Sequence, residues 1–150
     1  MNLRAWIVQR VEAAEAVARA ELIGREVVAY PHDGSRAASG TVTDVAQSAE
    51  GLELTLSGRE SVTPDGPLVP METEMAALRR CEADRRVLAR HTLDTSQTAF
   101  PAACEGCGTD DWGLPNVENL NDCPELRDLA HAHGLTDEIL TRLDRPEPPE

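Results

Sequence analysis

Two thiols and two glycines in Cys104-Glu-Gly-Cys107-Gly108 have the form of half a metal site. Thiolates at this spacing can face one ion while the backbone between them turns tightly. Gly108 gives that turn a residue able to take a positive φ without a Cβ clash. Cys123, just ahead of Pro124, is a third soft ligand, and His91 stands thirteen residues before Cys104. Zinc takes four ligands from thiolate and imidazole in a tetrahedron, so three Cys and one His complete a structural site. The fourth place has four candidates: His91, His131, His133 and Cys81. Cys81 and His91 fall on one expected helix, about 15 Å apart along its axis, and cannot share an ion. His131 falls about 12 Å beyond Cys123 on a helix of the same rise, and His133 further still. His91 ends its helix where the loop towards Cys104 begins, so it is free to approach. Cys81 reads as a small buried residue of the helix stripe. The expected metal ligands are His91, Cys104, Cys107 and Cys123, holding a structural Zn2+.

Three other chemistries compete for the same cysteines. Three thiolates and a water would leave an open, catalytic coordination position. A redox dithiol would sit on a strand-to-helix turn with a lowered thiol pKa. Here the pair sits in a loop beside Glu105, Asp110 and Asp111, which push a thiol the other way. The remaining reading is plain unmetallated cysteine. Elsewhere the sequence has no Gly-rich phosphate loop, no placeable Ser-His-Asp set and no His-Glu-x-x-His run. No catalytic residues are therefore assigned, and the chain reads as a non-enzyme.

The elements that must position these ligands are legible from periodicity. Leu3, Ile7, Val11, Ala14 and Val17/Ala18 recur at helical spacing, capped by Asn2 and ended by Gly24, with Trp6 and Leu22 widening the stripe. Short β-prone runs follow at Val27–Tyr30, Gly40–Val45 and Leu52–Leu56, with two further short strands expected at Glu60–Thr63 and Leu68-Val69. They predict a small antiparallel β-sheet or an SH3-like partial barrel. A second helix is expected from about Met71 to His91, with Met71, Met75, Leu78, Cys81 and Leu88 on one arc. Arg79, Arg86 and Arg90 lie on another arc, read as a solvated face with local pairs such as Arg86 to Glu82, and as a binding stripe in the sharper reading. Residues 92–122 read as an irregular loop, too long for a compact domain unless something cross-links it. Asp122-Cys123-Pro124-Glu125 opens a third helix that Gly134 stops, and Thr136 starts a short fourth. The fold class is α+β. The expected organisation is an N-terminal helix at 1–22, a β module at 23–70, a helical zinc-knuckle module at 71–144 and an extended tail at 145–150.

Composition sets the outer limits. The 150 residues carry a net charge of −13 and only 3% aromatic side chains, so a small core gains much from a metal cross-link. Such an excess of acid opposes a general grip on phosphate backbones. It suits a soluble protein or one with basic partners. All fourteen basic residues are Arg, which reflects a GC-rich genome rather than a mechanism. The first twenty residues do not read as a signal peptide, and no stretch has transmembrane length, so a cytoplasmic location is expected.

Three blocks of the sequence resemble an uncharacterised domain-of-unknown-function family from actinobacteria and their phages. They are Leu3-Arg-Ala-Trp-Ile…Ala18-Arg-Ala, Leu78-Arg-Arg-Cys-Glu-Ala-Asp-Arg-Arg-Val-Leu-Ala-Arg-His91, and Cys104-x-x-Cys107-Gly followed by Cys123-Pro-Glu-Leu-Arg-Asp-Leu-Ala130. The resemblance covers about 1–20 and 71–140, and residues 21–70 depart from it. It implies the helical framework, the ligand set and an actinobacterial or actinophage cytoplasm, and it carries no catalytic residues. Taken together, these features predict a zinc-stabilised interaction or adaptor protein with a protein partner. The alternative is a nucleic-acid-associated regulator, or an acidic decoy acting on a DNA-binding protein.

Overall fold

The computed structural model describes residues 1–29, 38–48, 51–58 and 72–143. The two further strands expected at 60–63 and 68–69, and the tail at 145–150, lie outside the described residues. The element order is α1 (Leu3–Leu22), β1 (Glu26–Ala29), β2 (Ala38–Ser48), β3 (Gly51–Leu56), α2 (Glu72–Arg90), α3 (Pro124–Ala132) and α4 (Asp137–Leu140), with single 3-10 turns at Glu105–Cys107 and Leu120–Asp122. The class is mixed α+β, as the periodicities predict. Contacts divide the chain into two compact units. One joins Met1–Ala13 to Cys81–Glu150, and the other is Ala14–Arg80.

The Ala14–Arg80 unit holds a three-stranded antiparallel sheet in the order β1-β2-β3. Val42 and Val45 of β2 are both buried. A regular strand would send residues three apart to opposite faces. The register shifts between Val42, which faces Leu56, and Asp44, which faces Thr55. That bulge inserts Thr43 as an extra residue and returns Val45 to the core face. Thr43 Oγ1 donates to the Thr55 carbonyl at 3.1 Å. Leu54 and Leu56 keep strict alternation and fill the same apolar cluster with Val27, Leu22, Met75 and Leu78. Gly24 ends α1 at φ +85°, and its N–H donates to the Val42 carbonyl at 2.8 Å, tying the helix exit to the sheet.

The other unit is built on helix ends and on the segment between them. Asn2 caps α1 through its side-chain oxygen, which accepts from the Ala5 N–H at 2.9 Å. The next orphan donor, the Leu3 N–H, is satisfied by Asn121 Oδ1 at 3.1 Å, a buried amide from the far end of the chain. Leu3, Trp6, Ile7 and Val11 form one apolar cluster with Cys81, Leu88, Leu120, Leu126, Leu129 and Ala130. The expected arc of α2 is thus buried at Met75, Leu78, Cys81 and Leu88, each within its own unit, while Met71 lies outside the described residues.

Residues 92–122 form the expected irregular segment, with no α-helix or strand ladder, yet they are not structureless. Their backbone is paired: Glu105 N–H donates to Thr92 O at 2.9 Å, Asp94 N–H to Ala103 O at 2.9 Å, Cys104 N–H to Val117 O at 3.0 Å and Leu120 N–H to Ala102 O at 2.7 Å. The pairs are isolated bridges, Leu93 with Cys104 and Thr109 with Pro115, rather than ladders. Single bridges need no alternating apolar pattern, so periodicity cannot reveal them.

Candidate metal centre

His91 is the first residue beyond α2, and its N–H still donates to the Val87 carbonyl at 3.1 Å. The helix therefore fixes the direction in which the imidazole leaves. Cys104 and Cys107 bracket the 3-10 turn, with the Cys107 N–H donating to Cys104 O at 3.3 Å and the Gly108 N–H to Glu105 O at 3.0 Å. Gly108 takes φ +67° and ψ −166°, a region open in practice only to glycine. Cys123 sits at the N-cap position of α3, followed by Pro124 in the first turn. Three element ends thus converge on one point.

The ligand atoms of His91, Cys104, Cys107 and Cys123 all lie within 4.8 Å of one another, and the cluster can hold a metal ion. His91 Nδ1 is 3.3 Å from Cys104 Sγ, 3.9 Å from Cys107 Sγ and 3.3 Å from Cys123 Sγ. Cys107 Sγ and Cys123 Sγ stand 3.5 Å apart. Zinc–sulfur bonds of about 2.3 Å and zinc–nitrogen bonds of about 2.0 Å in a tetrahedron require edges of about 3.5–3.8 Å. The donor set fits a zinc-sized ion by this measure. None of the cysteines is in a disulfide.

The imidazole is oriented from its other side. His91 Nε2 is 2.8 Å from Glu125 Oε2, in the first turn of α3. A carboxylate only accepts, so Nε2 carries the proton. In the neutral ring this leaves the Nδ1 lone pair towards the sulfurs, the tautomer a metal needs. His91 itself is only 2% exposed. Burial pushes the Cys104 thiol up from its ordinary value. Cys107 is raised too, first by burial and then by the neighbouring thiols. The cause is desolvation and crowding of sulfur, where the sequence pointed to the acidic side chains nearby. A cation at the centre would reverse the effect, since a coordinated thiol is deprotonated outright.

The excluded candidates have other partners. His131 Nδ1 meets the Leu135 carbonyl at 3.0 Å. His133 Nε2 meets Asp84 Oδ2 at 2.7 Å, and both side chains are largely buried. Cys81 lies in the apolar cluster. Three contributors were not foreseen. Glu125 belongs to the sequence that opens α3, and its contact with His91 spans a separation no local pattern encodes. The Asp84–His133 pair was signalled weakly by Asp84 standing three residues after Cys81 and four before Leu88, on the buried stripe. The third is Gly106. A Cβ there would lie 2.5 Å from the Arg90 carbonyl oxygen and 2.8 Å from His91 Nδ1, so only glycine lets the turn lie against the end of α2.

Among the described residues no helix is long and apolar enough to cross a membrane. No family model, no curated protein and no solved structure matches the chain.

Proposed function

We propose that this protein is a non-enzymatic, zinc-stabilised interaction or adaptor protein. The observation that carries the reading is the completeness of the donor set. Three sulfurs and one imidazole nitrogen already supply the four ligands of a tetrahedral ion, and a catalytic zinc keeps one position for water or substrate. The Glu125 contact on the outer nitrogen further supports a metal site, because it orients the imidazole towards the sulfurs. Soft thiolates with imidazole favour zinc over magnesium or calcium. An origin in actinobacteria or their phages belongs to the same proposal and rests on the three sequence blocks.

The test is metal content and its coupling to folding. Protein purified without chelator should carry one zinc per chain. Stripping it should abolish the near-ultraviolet signal of the packed unit, because metal-binding free energy in such sites is folding free energy. Metal-free protein that keeps its fold and ignores added zinc refutes the reading. A nucleic-acid role is disfavoured by the absence of any Arg or Lys between His91 and Leu126, across the whole knuckle segment.

A further inference from the structure

The metal centre carries a short loop whose tip the fold does not use. Trp112 is 85% exposed and Leu114 is 50% exposed. The chain has only two Trp residues, and the other, Trp6, is buried beneath Arg10. The exposed indole is not on a floppy segment. Asp110 Oδ1 accepts from the Trp112 and Leu114 N–H groups, each at 2.9 Å. The Asp110 N–H donates to Leu114 O at 2.8 Å and the Gly113 N–H to Asp110 O at 3.1 Å. At the base, Asn116 donates from its backbone to Gly108 O and from its side chain to Cys107 O, both at 3.0 Å. The loop therefore stands directly on the backbone of the second knuckle cysteine and the glycine after it.

A solvated tryptophan on a hydrogen-bonded turn is a costly thing to keep without use, and it is the side chain most suited to anchor an interface. The ordering entropy of the loop backbone is spent before binding, and the large apolar face of the indole gains on burial. The surrounding charge says what kind of surface covers it. From His91 to Leu126 the chain has no Arg or Lys but carries Asp94, Glu105, Asp110, Asp111, Glu118, Asp122 and Glu125. Phosphate and anionic lipid are repelled by such a segment, and so is a second copy of this chain. An Arg or Lys of a partner gains twice, from the carboxylates and from the face of the indole.

We propose that the Trp112 loop is a docking site for a protein partner presenting an apolar socket rimmed by Arg or Lys. This rests on the adaptor reading and makes it specific: the metal would hold the loop in a form ready to bind. The test is to pan a display library of random short peptides against the zinc-loaded full chain. Selected peptides should carry Arg or Lys beside large apolar residues and should shield Trp112 from acrylamide quenching, while Trp6 stays unquenched throughout. Trp112→Ala should weaken them by about thirty-fold or more. Charge reversal by Asp111→Arg with Glu118→Arg should slow association and flatten its salt dependence while leaving the indole in place. Binders that hold Trp112→Ala within about threefold of wild type, binders without basic residues, or no enrichment at all overturn the proposal. So does sedimentation showing self-association lost in Trp112→Ala, or shielding of Trp112 by anionic vesicles. Zinc content of the same preparations reports separately on the metal reading. A zinc-bearing chain that selects no such peptide refutes the docking site alone.

Discussion

His91 connects the two ideas on which the site depends, a ligand nitrogen facing three sulfurs and a second nitrogen held by Glu125. His91→Ala should lower metal retention far more than His131→Ala, measured by competition with a chromogenic chelator, since His131 is engaged by the Leu135 carbonyl. Equal losses would mean a different ligand set. Glu125→Ala should weaken metal affinity by about tenfold, the lower end of the range for outer partners, because the carboxylate is itself largely solvated. The thiols add a pH signature with opposite signs in the two states. Cys104 and Cys107 have raised values in the metal-free fold. Metal-free protein, to the extent that it folds, should lose stability as pH rises above about 8.5, where unfolded thiols ionise and buried ones cannot. The metal-bound form behaves in reverse: protons compete for the thiolates, so affinity falls as pH drops from about 8 to 6. Denaturant titrations at several pH values, with and without metal, read both slopes. The choice of His91 over its three rivals was legible from helix rise alone. Glu125 was not, because its partner lies in another element.

At the scale of elements, the knuckle depends on how closely its turn approaches the end of α2. Gly106→Ala should cost about 1–3 kcal/mol, as overpacking against backbone does, and should reduce metal affinity because the intruding methyl meets the His91 ring. A variant that folds and binds metal like wild type would show that the approach is not tight. His133→Ala should destabilise the same unit by about 1.5–3 kcal/mol, the worth of a hydrogen bond to a charged group. Metal affinity of the folded protein should barely change, which separates this pair from the centre. Helices and strands were legible where their period was long: α1, α2 and the Leu52–Leu56 alternation. The bulge at Thr43 was not, since Val42 and Val45 break the alternation that a sequence reading relies on. The backbone pairing inside the irregular segment 92–122 was not legible for a related reason, since isolated bridges and single 3-10 turns leave no repeat.

For the whole molecule, each compact unit has its own apolar cluster, and the metal ligands all belong to one of them. Metal removal should therefore act unevenly. Hydrogen exchange after chelation should show loss of protection around 91–132, while β2 and β3 keep theirs. Uniform loss would mean that the chain folds as one cooperative block. A net charge of −13 favours encounter with cationic over anionic surfaces, and any such attraction should weaken with salt. The central claim, a closed four-ligand zinc site, is tested most directly by zinc K-edge absorption spectroscopy on protein purified without chelator. The expected result is a first shell of three sulfurs at about 2.3 Å and one nitrogen at about 2.0 Å, losing its nitrogen component in His91→Ala. A shell containing a water oxygen in place of the imidazole, or protein with no zinc to measure, would contradict it.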